Sequence, residues 1–211
     1  MQVVCKKIKK KNWLPDMPGV YQFLSKRKEI LYIGKATSLR NRIQSYCSSD
    51  IMNTRGPIIA EMLLLARGVR VIETDSVLEA LILEAALIKK YQPKYNSKEK
   101  SDKSFNYIVI TDEDFPRVLL MRGKELLRGS TPKFTHELKY SFGPFPHGSA
   151  LREAMKIVRK IFPFRDACKI GQKKPCFNAQ IGLCPGVCTS KISKKEYAQT
   201  IQHMKLFFNG K

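Results

Sequence analysis

A chain of 211 residues with 39 Lys and Arg against 18 Asp and Glu carries a formal charge of +21 and a pI near 9.9, an excess that favours a polyanionic partner, DNA or RNA by default. Its hydrophobic content of 43 % is that of an ordinary globular protein with room for one large domain or two small ones, and no apolar run is long enough to span a bilayer. No apolar secretory segment follows the basic N-terminus and no basic helix shows an aromatic face, so a cytoplasmic protein is expected and a membrane partner is not.

Residues 1–12 hold Lys6, Lys7, Lys9, Lys10 and Lys11, expected as a basic N-terminal arm that touches phosphates or as a disordered end. Val20–Leu24 and Ile30–Ile33 are apolar and β-branched around the polar stretch Ser25–Glu29, which predicts a hairpin. Gly19 and Gly34 bracket it, where backbone freedom is useful. Thr37 or Ser38 N-caps a helix whose Leu39, Ile43 and Tyr46 form a core stripe, with Arg42 one turn before Tyr46. Tyr21, Tyr32, Lys35, Arg42 and Tyr46 are thus expected on one small patch. Asp50–Gly56 is expected as a loop, Pro57 as the first residue of an apolar helix, Gly68 as its stop, and Val69–Glu73 as a strand. The next helix starts near Ser76 and ends before Pro93, burying Leu78, Leu81, Ile82, Ala85 and Ile88. Glu79 completes the capping box Ser76-x-x-Glu79, and a cap or a metal ligand are both open for it. Asn96 after Pro93 is a turn-former or a hydrogen-bonding group within the site.

Tyr107–Thr111 and Arg117–Met121 are expected strands, 123–137 a polar loop and Ser141–Pro146 a rigid turn. Ser149 caps a helix with Leu151, Ala154, Met155, Val158, Ile161 and Phe162 inward. Cys168, Cys176, Cys184 and Cys188 then follow as C-x7-C-x7-C-x3-C among glycines and prolines. Such a segment has little apolar content with which to order itself, and a bound metal would supply the order. Only the last pair has zinc-knuckle spacing, while four thiolates also suit a [4Fe–4S] cluster. Six cysteines in a cytosolic chain argue for a metal and against disulfides, with Cys5 and Cys47 isolated. A second capping box, Ser193-x-x-Glu196, opens a terminal helix with Tyr197, Ile201, Met204 and Phe208 on its apolar face.

Gly-Val-Tyr at 19–21 and Tyr-Ile-Gly-Lys at 32–35, ten residues apart, resemble the GIY-YIG nuclease motif. Lys35–Tyr46, Thr74–Glu84, Pro93–Asn96, Asp102–Phe105, Glu113–Val118, Phe142–Pro146 and Pro175–Cys188 are similar to the UvrC family of excinucleases. The resemblance runs through nearly the whole chain and implies an α+β fold. Its parts would be a GIY-YIG domain with a short antiparallel sheet over residues 13–100, a smaller α/β element over 101–167, and a Cys-rich segment with a terminal helix over 168–211. It implies a metal-dependent DNA endonuclease making the 3′ incision of nucleotide excision repair in damaged double-stranded DNA, with UvrA and UvrB as partners. Glu79 would hold Mg²⁺ or Mn²⁺, Lys35 and Arg42 would meet the phosphate, and Tyr32 would activate water positioned by Tyr21 and Tyr46. For the four cysteines it implies a [4Fe–4S] cluster in preference to Zn²⁺. The chain departs from the family at Ala86, where relatives often carry Asn, and in the shorter first gap of the cysteine series. A fragment and a short Cho-like homologue are both open, as are two other activities: a non-catalytic DNA-binding module and a structure-specific nuclease outside excision repair.

Overall fold

The computed structural model describes residues 3–9, 14–99, 105–127 and 137–210, and the chain divides into two units, Met1–Asp102 and Lys103–Lys211. In the first, the expected hairpin is β1 (Gly19–Leu24) and β2 (Ile30–Ala36), antiparallel from Gly19 against Ala36 to Phe23 against Tyr32. Ser25 closes the turn: its amide donates to the Glu29 carbonyl at 2.9 Å, and its Oγ accepts the Arg27 and Glu29 amides at 3.1 and 3.2 Å. β3 (Gly68–Glu73) pairs antiparallel with the far edge of β1, giving the order β2-β1-β3. The central strand is covered on both faces, and even Gln22 is buried.

Strand alternation divides the side chains between those faces. Tyr21, Phe23 and Tyr32 share one cluster with Leu39 and Ile43 of α2 (Leu39–Gln44), Tyr46 of the following 3-10 turn, and Ile59 and Met62 of α3 (Ile51–Leu65). Val20 and Ile33 lie on the other face with Ala80 and Ile88 of α4 (Val77–Tyr91). Ser38 N-caps α2 by accepting the Asn41 amide, and Ser76 N-caps α4 by accepting that of Glu79. The short α5 (Lys94–Glu99) follows.

Some expectations change here. Within the basic arm, Val3–Lys9 form helix α1, and Val4, Cys5 and Ile8 are buried in the cluster of Ile43 and Tyr46. One apolar helical face is enough to dock it. Residues 1, 2 and 10–12 of the arm lie outside the described residues. The docked helix brings Cys5 to Cys47, and the two form a disulfide with a Cα–Cα distance of 5.4 Å. The expectation against disulfides rested on compartment, and the pairing comes from a contact that sequence spacing does not reveal. Asp50–Gly56, expected as a loop, contributes the first part of α3. Gly56 (φ 78°, ψ 172°) breaks that helix and Pro57 restarts it. The helix ends at Leu65, and Gly68 opens β3 instead of stopping it. The buried stripe of α4 is Ala80, Leu81, Glu84, Ala85 and Ile88, turned from the expected one so that a carboxylate falls inside it.

In the second unit β4 (Asn106–Thr111), β5 (Val118–Arg122) and β6 (Leu138–Phe145) make an antiparallel sheet of order β5-β4-β6. The expected loop after residue 122 starts as a helix, α6 (Gly123–Leu127), and the expected rigid turn at 141–146 is largely strand β6. Pro144 is tolerated because β6 is an edge strand. Gly143 (φ 138°) is needed where a Cβ would come within 2.8 Å of the Tyr107 ring. α7 (Gly148–Ile161) is preceded by His147 at the N-cap in place of Ser149 and buries Leu151, Ala154, Met155 and Val158, while Ile161 is exposed. α8 (Phe177–Gln180) lies in the Cys-rich segment, and α9 (Lys194–Phe208) opens on the expected capping box and buries the expected face. Tyr197 ties α9 to the sheet side of this unit, accepting the Arg165 amide at 2.9 Å and donating to the Pro116 carbonyl at 2.8 Å. The fold is α+β, and no helix among the described residues is long and apolar enough to cross a membrane.

Candidate active site and cysteine centre

Tyr21, at the middle of the central strand, is fully buried, with its Oη 2.7 Å from that of Tyr46 and accepting from Arg42 Nε at 3.2 Å. Either phenol can donate in the Tyr21–Tyr46 bond, and Arg42 donates to Tyr21 in both cases. The Tyr32 ring stands 6.3 Å from that of Tyr21 and 6.5 Å from that of Tyr46, centroid to centroid. Burial first, then the neighbouring Tyr46, pushes the Tyr21 phenol well above the ordinary tyrosine range, and the charge of Arg42 only partly opposes this. Tyr21 is therefore a neutral phenol, fitted to orient its neighbours and not to take a proton. Burial pulls the Arg42 guanidinium down, but Tyr21, Tyr46 and Tyr32 together raise it, so it stays charged.

The two motif glycines serve a different purpose from the one expected. Neither has a positive φ. A Cβ at Gly34 would stand 2.3 Å from the Tyr21 Oη, and one at Gly19 would stand 2.3 Å from the Ile72 carbonyl oxygen. Gly34 makes room for the phenol across the hairpin, and Gly19 lets β3 close against β1.

Lys35 does not join the phenols. It pairs with Val20, so alternation places it on the α4 face of the sheet. Glu79 is exposed in the first turn of α4, with its Oε2 accepting the Asp75 amide at 3.0 Å. This is a capping contact one residue before the N-cap. Both groups nevertheless sit toward one end of the sheet. Gly19 is in register with Ala36 and with Glu73 there, α2 and α4 both depart from that end, and the Thr74 amide donates to the Pro18 carbonyl.

Asn96 is buried and clamps β2, its Oδ1 accepting the Ile33 amide at 2.9 Å and its Nδ2 donating to the Ile33 carbonyl at 2.8 Å. It acts beside Tyr32 through the backbone. Two neighbours escaped the sequence reading. Glu84, 1 % exposed, accepts the Lys35 amide at 2.8 Å; its signal was a carboxylate at stripe spacing from Leu81 and Ile88. The Arg55 guanidinium lies 4.2 Å from the Tyr46 ring centre and donates to Ser45 Oγ at 2.9 Å. Gly56-Pro57 hid the helical turn that carries it. Ala86, where relatives often carry Asn, is exposed.

In the second unit the Sγ atoms of Cys168, Cys176 and Cys188 lie within 4.8 Å of one another. Cys184 is buried outside that triplet, and Cys176 donates its amide to Cys188 Sγ at 3.3 Å. Burial, then the three other cysteines, pushes the Cys168 thiol up to about 12. Burial works the same way at Cys188, but the hydrogen bonds from Cys176 and Cys168 outweigh it and lower that thiol. The segment is fastened from outside: Arg159 donates to the Leu183 carbonyl and pairs with Asp166, and Arg165 Nε donates to the Cys168 carbonyl. Three converging sulfur donors, one buried and two half-buried, fit a soft metal or a cluster.

Compared with known families, residues 17–97 match the UvrC-like GIY-YIG domain and residues 105–207 match the UvrC/Cho excinuclease middle domain. The chain belongs to the UvrC family. Its first unit carries the GIY-YIG endonuclease domain of that family and its second the middle domain. It is 39 % identical over 201 residues to UvrABC system protein C of Carboxydothermus hydrogenoformans, and 40 % identical over 205 residues to that of Clostridium kluyveri. Each match covers 94 % of this chain and 31 % of the relative, so the chain spans about a third of the length of these proteins. Among solved structures, the magnesium-bound GIY-YIG N-terminal endonuclease domain of UvrC from Thermotoga maritima is 41 % identical, with a TM-score of 0.37, covering 43 % of this chain and 96 % of that one.

Proposed function

We propose that this chain is a metal-dependent DNA endonuclease that hydrolyses one phosphodiester bond, making the 3′ incision of nucleotide excision repair in damaged duplex delivered by UvrA and UvrB. Family membership supports the reaction class. The single structural observation that carries it is the closed chain Arg42–Tyr21–Tyr46 beside Tyr32, at 3.2 and 2.7 Å. Arg42, charged and held by a phenol through Nε, offers its remaining in-plane N–H donors to a pair of phosphate oxygens. Tyr32 takes the proton of the attacking water as the new P–O bond forms and the old one breaks. Tyr21 and Tyr46 position it. Lys35 meets the phosphate from the α4 face, and Asn96 and Glu84 hold the β2 backbone under both groups.

Glu79 would hold one Mg²⁺ or Mn²⁺. A single exposed carboxylate fits an ion that keeps several waters, and when bound the ion neutralises charge on the phosphate. Cys168, Cys176, Cys184 and Cys188 would hold a [4Fe–4S] cluster, with Zn²⁺ as the alternative; either orders the segment. A tetrahedral zinc holds its thiolates about 3.8 Å apart, from Zn–S bonds of about 2.3 Å, and a cubane holds them wider. Iron, sulfide and zinc analysis of protein purified without oxygen decides between them.

A competing reading, DNA binding without catalysis, is favoured by one observation: Tyr21, Tyr32 and Tyr46 are exposed by only 0, 4 and 1 %. Incision of end-labelled damaged duplex in manganese, with and without UvrA and UvrB, tests both. A nick 3′ to the lesion is expected. Shifted but uncut DNA under every condition would leave the binding module.

A further inference from the structure

Between Ala167 and Lys195 the chain carries six lysines, Lys169, Lys173, Lys174, Lys191, Lys194 and Lys195, all exposed, and no acidic residue. Within this basic segment stands the most exposed large apolar side chain among the described residues, Phe177 at 71 %. Ile181, one helical turn on, is 50 % exposed. Phe177 does not belong to the cysteine centre, and the proposed nuclease chemistry does not use it.

Its exposure is held in place by the scaffold beneath it. Cys176, the residue before it, is tied to Cys188 through its amide, and the Ala179 amide returns to the Cys176 carbonyl at 2.9 Å. Asn178, the residue after it, donates to the Asp166 carboxylate at 3.3 Å, and its carbonyl accepts the amides of Leu183 and Cys184 at 2.8 and 3.0 Å. Gln180 Nε2 donates to the Pro175 carbonyl at 2.9 Å. Every neighbour of Phe177 on α8 is anchored, so the ring projects from a fixed base. Lys194 is paired with Asp114, but no ion pair is seen among the described residues for Lys173 and Lys174, which precede Phe177 by four and three residues; an exposed aromatic ring on an anchored base, close in sequence to such lysines, is what an unstacked nucleobase and its flanking phosphates fit.

We propose that Phe177 is a stacking platform for an unpaired base of DNA, with Lys173 and Lys174 holding the adjacent phosphates. The proposal rests on the reading of this chain as a DNA-acting protein and adds to it a preference for locally unpaired strand. The test uses the full chain without added Mg²⁺ or Mn²⁺ and without chelator, so that binding is read without cleavage and the cysteine centre keeps its metal. The probes are fluorescein-labelled dT12 and a blunt duplex of equal length, measured by anisotropy over a salt series.

Wild type binding to dT12 should weaken about 5- to 150-fold in Phe177→Ala, the range of a base–aromatic stack removed by alanine, with duplex affinity changed by less than about twofold. Phe177→Trp should restore dT12 binding, and its added indole emission should be quenched by dT12. Replacing Lys173 and Lys174 by Ala should reduce the salt slope for dT12 by about 1.4, two phosphate contacts on a single strand. Equal dT12 affinity in wild type and Phe177→Ala, or an added indole emission in Phe177→Trp that dT12 leaves unquenched, overturns the platform while the nuclease reading stands. Failure of the wild type to bind either DNA overturns the nuclease reading as well. The exposed ring leaves the core intact, and a circular dichroism melt of each variant confirms that a lost affinity is not a lost fold.

Discussion

Glu79→Gln separates the two roles that one carboxylate can have at the start of α4. As a cap, Glu79 accepts the Asp75 amide at 3.0 Å, while its own amide donates to Ser76 Oγ at 3.1 Å. Gln keeps an oxygen of the same reach, so both bonds survive and only the charge is lost. A negative charge in the first turn of a helix is worth about 0.3–1 kcal/mol. The first unit should therefore lose no more than about 1 kcal/mol, a Tm shift of at most about 4–8 °C for a domain of this size. As a metal ligand, the same charge supports several kcal/mol of charge stabilisation in the reaction. A loss of about 3–4 kcal/mol at 1.36 kcal/mol per decade is roughly 10²–10³-fold in rate. The assay pairs plasmid nicking in manganese with a thermal melt and with DNA binding in the absence of added Mg²⁺ or Mn²⁺. The expected result is nicking down by that factor with binding and Tm nearly unchanged. Nicking within threefold of wild type, together with a lowered Tm, would show that Glu79 only caps the helix.

Tyr21→Phe removes a hydroxyl that is fully buried between Tyr46 and Arg42; leaving Tyr46 without that partner should cost about 1–3 kcal/mol in a urea titration and slow nicking, and unchanged stability would refute the buried chain. Reducing the Cys5–Cys47 bond, or Cys47→Ser, releases a loop of 42 residues, and the chain-entropy relation sets the expected loss at about 4 kcal/mol; equal urea midpoints with and without reductant would show that the pair is not bridged in solution. In the second unit burial raises the carboxyls of Glu113 and Asp166, but hydrogen bonds and charge from Arg165 and Thr111 at the first, and from Arg159 at the second, hold both below the ordinary carboxylate range. With the folded value below the unfolded one, their stabilisation is complete above about pH 4, the unfolded carboxylate value, and is lost as pH falls through the folded values. Acid titration followed by near-ultraviolet circular dichroism should show that loss below about pH 4, and a signal flat to about pH 2.5 would contradict it.

The hairpin, the caps at Ser38, Ser76 and Ser193, and the buried face of α9 were legible because each is a local pattern: period two, period 3.6, or a Ser placed three residues before its partner amide. What was not legible depended on contacts distant in sequence. α1 looked like a solvated arm because its lysines are visible and its docking surface is not. The helical turn before Gly56 was hidden because Gly-Pro ordinarily ends a helix, whereas here the chain breaks and continues in the same element. Ser141–Pro146 looked like a turn because Pro is rare in sheets, and only the edge position of β6 makes it acceptable. At the site, Tyr21, Arg42 and Tyr46 were found together as their spacing suggested. Lys35 was not, because one residue along a strand changes the face.

The residues around the site also tie the strand edge to the proposed chemistry. β2 is an edge strand, and an edge leaves a row of outward amides without ladder partners. Two of them, at Ile33 and Lys35, donate to Asn96 Oδ1 and Glu84 Oε1 at 2.9 and 2.8 Å. Those acceptors come from α5 and α4, so the helices that close the edge also fix the strand carrying Tyr32 and Lys35. Gly34, between the two anchored residues, must then lack a side chain for Tyr21 to reach Tyr46 and Arg42 across the hairpin. Bulk at position 34 would move the phenol, and a lost acceptor at 84 or 96 would loosen the strand beneath Tyr32. Fold and proposed chemistry depend on the same few atoms here, which is why a short motif of glycines and tyrosines is so informative.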